Sequence, residues 1–120
     1  LDNVQHMGAL LSRRLGEAFG QHPHVGDIRG RGLLQSLELV ADRDSKQPFA
    51  AKEGLAAKIK QTAQSLGLIC YPSSGTADGV NGDHVLLAPP FTIDAGHVDE
   101  IVEKLGAALA ATLPAARSAA

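Results

Sequence analysis

The sequence predicts an α+β fold, a short and mostly antiparallel sheet covered on one face by amphipathic helices. Three observations predict it. Apolar residues recur at helical spacing in three stretches, near residues 4–19, 55–66 and 98–109. Short apolar runs between them suit strands rather than helices. The resulting order, helix–strand–strand–helix–strand–strand–helix, lets each apolar stripe be used once against a single sheet. The unit that joins these parts is His84 to Asp94. Val85 to Leu87 is a buried-strand run, and Pro89-Pro90 ends the ladder because neither residue has an N–H to donate. Asp94 is placed to cap the last helix, with Ile93 and Val98 where a hydrophobic staple closes.

Taken in order, the first helix presents Val4, Met7, Leu11, Leu15 and Ala18 on one side, widened by Leu10 and Phe19. Gly20 is its expected left-handed end residue. His22-Pro23-His24 then breaks the periodicity. Residues 25–28 read as a short strand or a bend. Residues 33–40 read as a strand with Leu33, Leu37 and Leu39 on one face and Gln35 interrupting it. Residues 41–48 read as an exposed polar connection ending at Pro48. The second helix carries Leu55, Ile59, Thr62 or Ala63, and Leu66, with Gly67 as its end residue. Residues 68–71 read as a short strand, and residues 72–83 as a loop rich in Gly, Ser and Asp, long by ordinary standards. The last helix shows Val98, Ile101, Val102, Leu105, Ala108 and Leu109 on one face, and Pro114 marks its end. The tail from Ala115 is expected to fray.

A length of 120 residues fits one domain with one core, without metal or disulfide staples. The net charge of −2 gives no reason to expect nucleic acid or an anionic membrane as a partner. Cys70 is the single cysteine, which fits a reducing, cytoplasmic setting. No stretch approaches the roughly 20 apolar residues of a membrane helix, and no charged and then apolar leader opens the chain. Leu1 stands first and Met7 lies inside the first helix, so the expectation is a piece of a longer protein, cut before a helix.

Five features are candidates for chemistry. Arg29-Gly30-Arg31-Gly32 reads either as a contact for phosphate, nucleic acid or another ligand, or as a glycine-assisted turn with solvated guanidinium groups. It lacks the strand–turn–helix setting of a dinucleotide fingerprint. The histidines His22, His24, His84 and His97 match no zinc spacing, so no metal site is expected, and His97 reads as a surface residue. Cys70 reads as a buried, inert thiol, because a nucleophile needs a base and a thiolate-favouring setting. Tyr71 stands at a strand end before the long loop, where its phenol can donate and accept one hydrogen bond. The loop itself either binds or covers a ligand, or is a tolerated surface insertion.

Residues 25–34, Val-Gly-Asp-Ile-Arg-Gly-Arg-Gly-Leu-Leu, followed by Glu38-Leu39-Val40, resemble the start of the small C-terminal domain of class III aminotransferases. Residues 66–72, Leu-Gly-Leu-Ile-Cys-Tyr-Pro, resemble that domain's next strand. Residues 82–91, Gly-Asp-His-Val-Leu-Leu-Ala-Pro-Pro-Phe, resemble its last strand and corner. The likeness runs from about Asn3 to Leu113, and it is the order and spacing of the motifs that make it specific. It implies residues 1–113 as the small domain of the aspartate-aminotransferase fold, residues 114–120 as a flexible tail, and a large cofactor domain outside this chain.

The resemblance further implies pyridoxal 5′-phosphate in the full-length enzyme and a homodimer. It implies amine and keto-acid substrates, with no tight cofactor binding by this chain alone. The imine-forming lysine, and with it every catalytic or cofactor-binding role, then lies outside the chain. Lys46, Lys52, Lys58, Lys60 and Lys104 carry no such role. Ornithine-type members place a carboxylate-binding arginine where this chain has Leu86, and many omega-transaminases place a mobile one where it has Tyr71. A phenol cannot copy the two-bond grip of a guanidinium. Either the carboxylate partner comes from the long loop, Arg29, Arg31 or the other domain, or the substrate depends less on such a grip. The expected substrate-side residues are Tyr71, Arg29 and Arg31. The competing expectation is a stand-alone α+β module that holds a small metabolite.

Overall fold

The computed structural model describes residues 2–47, 49, 54–68, 70–74, 82–90 and 92–113. They form α1 (Asp2–Phe19), β1 (Val25–Arg31), β2 (Leu34–Leu39), α2 (Leu55–Ser65), β3 (Tyr71–Ser74), β4 (Asp83–Leu87) and α3 (Ala95–Thr112), the order that periodicity predicts. The strands lie in the order β1-β2-β4-β3, and each pairing is antiparallel. α1 lies against β1 and β2, α2 against β3 and β4, and α3 packs between the two helices. The expected α+β layer is the observed one.

Period-two alternation decides which side chains face the helices. Gln35, Leu37 and Leu39 of β2 and Val85 and Leu87 of β4 point inward and are buried. They meet Leu11 and Leu15 of α1, Ile59 of α2, and Val98, Leu105 and Leu109 of α3 in one core. Each fully buried aliphatic side chain contributes roughly 1.5–3 kcal/mol of transfer free energy.

Helix boundaries follow local chemistry. In α1 the buried positions are Gly8, Leu11, Leu15 and Phe19. Ala18, expected on the stripe, is exposed, because the larger Phe19 takes the inward place at the last turn. Gly20 does not adopt a left-handed conformation; its N–H continues the helical pattern to the Gly16 oxygen at 2.8 Å. At the end of α2, Gly67 is left-handed at φ 84°. Its N–H donates to the Gln64 oxygen at 3.0 Å, and the Leu68 N–H donates to the Ala63 oxygen at 2.8 Å, the Schellman pattern. Leu66, expected on the apolar stripe, is instead the exposed cap residue, and Leu68 drops into the core in its place. At α3, the Asp94 carboxylate accepts from the His97 N–H at 3.0 Å, and His97 Nδ1 accepts from the Asp94 N–H at 3.2 Å. Ile93 and Val98 flank this reciprocal cap and are both buried.

Three strand and loop expectations move. The first strand runs Val25–Arg31, not 25–28, so Arg29, Gly30 and Arg31 pair in the ladder and the turn begins only at Gly32. The third strand runs Tyr71–Ser74, not 68–71. Leu68 and Cys70 are buried ahead of it, and Pro72 is tolerated because β3 is the sheet edge. The expected loop 72–83 therefore loses Pro72 to Ser74 and Asp83 to strands. Its residues 75–81, with Gly75 and Gly79, lie outside the described residues, as do Pro48, Lys52 and the tail 114–120.

The α1–β1 corner is more buried than a polar reading of His22-Pro23-His24 suggests. His24 is 5% exposed, its Nδ1 lies 3.0 Å from the Val40 oxygen, and its ring packs 5.3 Å from that of Phe49. The His24 N–H donates to His22 Nδ1 at 3.0 Å. Burial pushes the His22 imidazole below its ordinary pKa, and the nearby His24 and Arg43 push it the same way.

Candidate functional site

With all three helices on one face, the other face of the sheet is left open. A bulge in β1 decides what it shows. The register shifts between Val25 and Asp27, at Gly26, where a Cβ would stand 2.8 Å from Val40. Val25 points inward before the bulge, and Asp27, Arg29 and Arg31 point outward after it. The registers then align side chains in rows. Arg29 lies opposite Ser36, Ser36 opposite Leu86, and Leu86 opposite Tyr71. The next row is Asp27, Glu38, His84 and Ser73, and towards the hairpin tip Arg31 faces Leu34.

All three residues expected from the sequence are therefore on the open face. They are not clustered. Arg29 and Tyr71 end the same row on opposite edge strands, roughly 14 Å apart at about 4.8 Å per strand. Arg29 is drawn along the face: its Nε sits 3.2 Å from Asp27 and its Nη2 3.9 Å from Glu38. Among the described residues Arg31 has no such carboxylate partner.

Among the polar residues of these rows lies an uncovered apolar strip. Leu34 is 51% exposed and Tyr71 55%, and Leu86 between them is half-buried. Two clefts border it and share the wall Ala88-Pro89-Pro90. One, of about 640 Å³, runs beneath Arg31 and Leu34 to Val4. The other, of about 370 Å³, lies beside Tyr71 and reaches Leu68 and Ile101. The two prolines thus do more than end β4; they hold the corner that both clefts need.

Sequence reading missed the rows. Ser36, Glu38, His84 and Ser73 join this face only through strand register, and the alternation of Leu34, Ser36 and Glu38 in β2 is the one local signal for it. Cys70 is buried, and that burial raises its thiol pKa, which opposes nucleophilic use. Among the described residues no group of three or more His, Cys, Asp or Glu side chains is disposed to hold a metal ion. Among the described lysines, Lys46 donates to the Gly26 oxygen, Lys104 pairs with Glu100 at 3.2 Å, and Lys58 and Lys60 are exposed on α2. No helix among the described residues is long and apolar enough to cross a membrane.

Comparison with known proteins gives this geometry a context. The family model described as aminotransferase class-III matches residues 1–109. An uncharacterized aminotransferase of Schizosaccharomyces pombe is 41% identical over 96% of this chain and 25% of its own length. A thermostable (S)-enantioselective omega-transaminase from Thermomicrobium roseum superposes with a TM-score of 0.80 at 29% identity, over 94% of this chain and 23% of that one. A transaminase from the marine bacterium Virgibacillus superposes with a TM-score of 0.81 at 32% identity, over 92% of this chain and 24% of that one. The chain spans about a quarter of the length of the relatives it matches.

Proposed function

Since the chain belongs to the class-III aminotransferase family, we propose that it is the small C-terminal domain of a pyridoxal-phosphate-dependent transaminase, with residues 1–113 forming the domain and a large domain of the same polypeptide as its partner. The parent is a homodimeric enzyme of a reducing, cytoplasmic setting. It moves an amino group from an amine or amino acid to a keto acid. The small domain closes over the reaction site and shapes the substrate pocket.

The observation that carries this reading is the open face. Leu34, Leu86 and Tyr71 leave apolar area uncovered beside two clefts, and a partner that covers them removes that area from water. The chain's span of about a quarter of its relatives' length supports a partner domain over a stand-alone metabolite-binding module.

The described residues do not fit the role of a cofactor seat. An imine-forming lysine needs a lowered pKa in a pocket. Lys58 and Lys60 are exposed, and Lys46 and Lys104 are tied to partners of their own. Pyridoxal phosphate supplies the chemistry of amino transfer, and its lysine comes from the large domain.

This chain's part is selection. Leu86 and Tyr71 are direct cross-strand partners, so the two positions where relatives of other types place an arginine are one spot on this face. Here that spot is an aliphatic chain and a phenol. Tyr71 lines the smaller cleft and bonds substrate through its hydroxyl. Arg31, free of carboxylates among the described residues, supplies positive charge at the larger cleft. Arg29 shares the Tyr71 row and releases Asp27 and Glu38 only for a stronger anion.

The test is direct. The purified chain, mixed with pyridoxal phosphate, an amine donor and a keto acid, gives no turnover above the cofactor alone. Adding the large domain of the same enzyme restores transamination. Rapid turnover by the chain by itself contradicts the proposal.

A further inference from the structure

The inward face of β2 holds one residue that a packed core does not call for. Leu37 and Leu39 fill their places with hydrocarbon, but Gln35 brings a carboxamide into the same row and is only 4% exposed. A buried amide is costly unless it is bonded. Gln35 Nε2 donates to the Gly32 oxygen at 2.8 Å. Two glycines make this possible. Gly30 is the cross-strand partner of Gln35, and a Cβ there would stand 2.5 Å from Gln35 Oε1. Gly8 of α1 backs onto the same peptide, and a Cβ there would stand 2.5 Å from the Gly32 oxygen. Gly32 itself sits at φ +57°, the left-handed region. Gln35 and Gly30 of the hairpin and Gly8 of α1 therefore hold one peptide, at the first loop position of the β1–β2 hairpin. Arg31 and Leu34 flank that loop and rim the 640 Å³ cleft.

We propose that Gln35 is a positioning residue for this cleft: by fixing the Gly32 peptide against α1 it sets the direction of Arg31 towards a substrate carboxylate. The inference rests on the assignment of Arg31 to the substrate pocket made above. Gln35 touches no substrate and acts through Arg31 alone.

The test uses the full-length aminotransferase that carries this chain. Two acceptors are compared, pyruvate with its carboxylate and propanal without one. Gln35→Met keeps volume and removes the donor. It raises KM for pyruvate about tenfold at unchanged kcat, the size of a misplaced charge-assisted bond, and leaves propanal unaffected. Arg31→Ala does the same, and the double variant is no worse than Arg31→Ala, because the two changes remove one interaction. An equal loss on both acceptors, or additive losses in the double variant, overturns the proposal. A silent Arg31→Ala overturns the pocket assignment and the proposal together. An effect at Arg31 with a silent Gln35→Met overturns the proposal alone.

Should Gln35→Met fail to fold, Gln35→Glu decides. Its neutral carboxyl donates to the Gly32 oxygen as the amide does, and its carboxylate cannot. The ratio of its pyruvate KM to wild type then stays near one at low pH and climbs as the carboxyl ionises, at a pKa raised by burial. A ratio that is flat with pH overturns the proposal.

Discussion

The two faces of the sheet are made by the same strands and do opposite things. Towards the helices, β2 and β4 present Leu37, Leu39, Val85 and Leu87, each no more than 2% exposed. Away from them, the same strands present Leu34, Ser36, Glu38, His84 and Leu86, with Arg29 and Tyr71 on the flanking edges. The covered face is saturated with contacts and has little freedom to change. The open face has apolar area, two clefts and unmatched charge, so its residues can vary without cost to the core. In this fold, stability lives on one side of the sheet, and the proposed selectivity is assigned to the other.

The largest effect that separates the faces is a core truncation. Leu105→Ala removes a fully buried side chain from α3 and is expected to destabilise the chain by about 2–5 kcal/mol, measured as a lower midpoint in urea. Gly30→Val comes next. It drives a side chain into Gln35 and is expected to cost about 1–3 kcal/mol by overpacking. A Gly30→Val variant as stable as wild type would show that the hairpin tip is not held as described. Asp94→Ala removes the α3 cap and is expected to cost about 1 kcal/mol. At the small end, Leu86→Ser on the open face is expected to shift stability by no more than about 0.5 kcal/mol in this chain. A large loss there would erase the distinction between the faces.

Acid tests a third region, the corner that joins α1 to the sheet. His22 has a folded-state pKa below the ordinary 6.5, chiefly because it is buried. The unfolded chain therefore binds the proton more readily, and stability rises with pH through this window. The contribution is complete above the ordinary value of about 6.5 and is lost as pH falls below it. His22→Gln is expected to flatten the dependence of the urea midpoint on pH between neutral and mildly acid conditions. An unchanged slope would assign the acid sensitivity elsewhere.

Element order was legible because helix stripes such as Leu11–Leu15–Phe19 and Leu55–Ile59–Ala63 obey a local period. The Asp94 cap and the Pro89-Pro90 corner were legible because single residues dictate them. The position of β3 was not. Leu68 and Cys70 look like strand residues by hydrophobicity, yet Gly67 sends them into the core from irregular backbone and leaves the ladder to Tyr71 and Pro72. The site was half legible. Local sequence singles out Tyr71, Arg29 and Arg31, but their shared face depends on the Gly26 bulge and on pairing between residues as far apart as Gln35 and Leu87. From sequence alone Gln35 interrupts an apolar face, because nothing in its neighbours announces the Gly32 oxygen that it meets.

The account stands on the open face as the surface that chooses substrate in the full-length enzyme. Replacing Tyr71 with arginine there tests it most directly, with kcat/KM measured for pyruvate and for propanal. The result expected is a gain for pyruvate over propanal of about tenfold or more, since a guanidinium offers the two-bond grip that the phenol lacks. An unchanged ratio, with the variant folded and active, would contradict it.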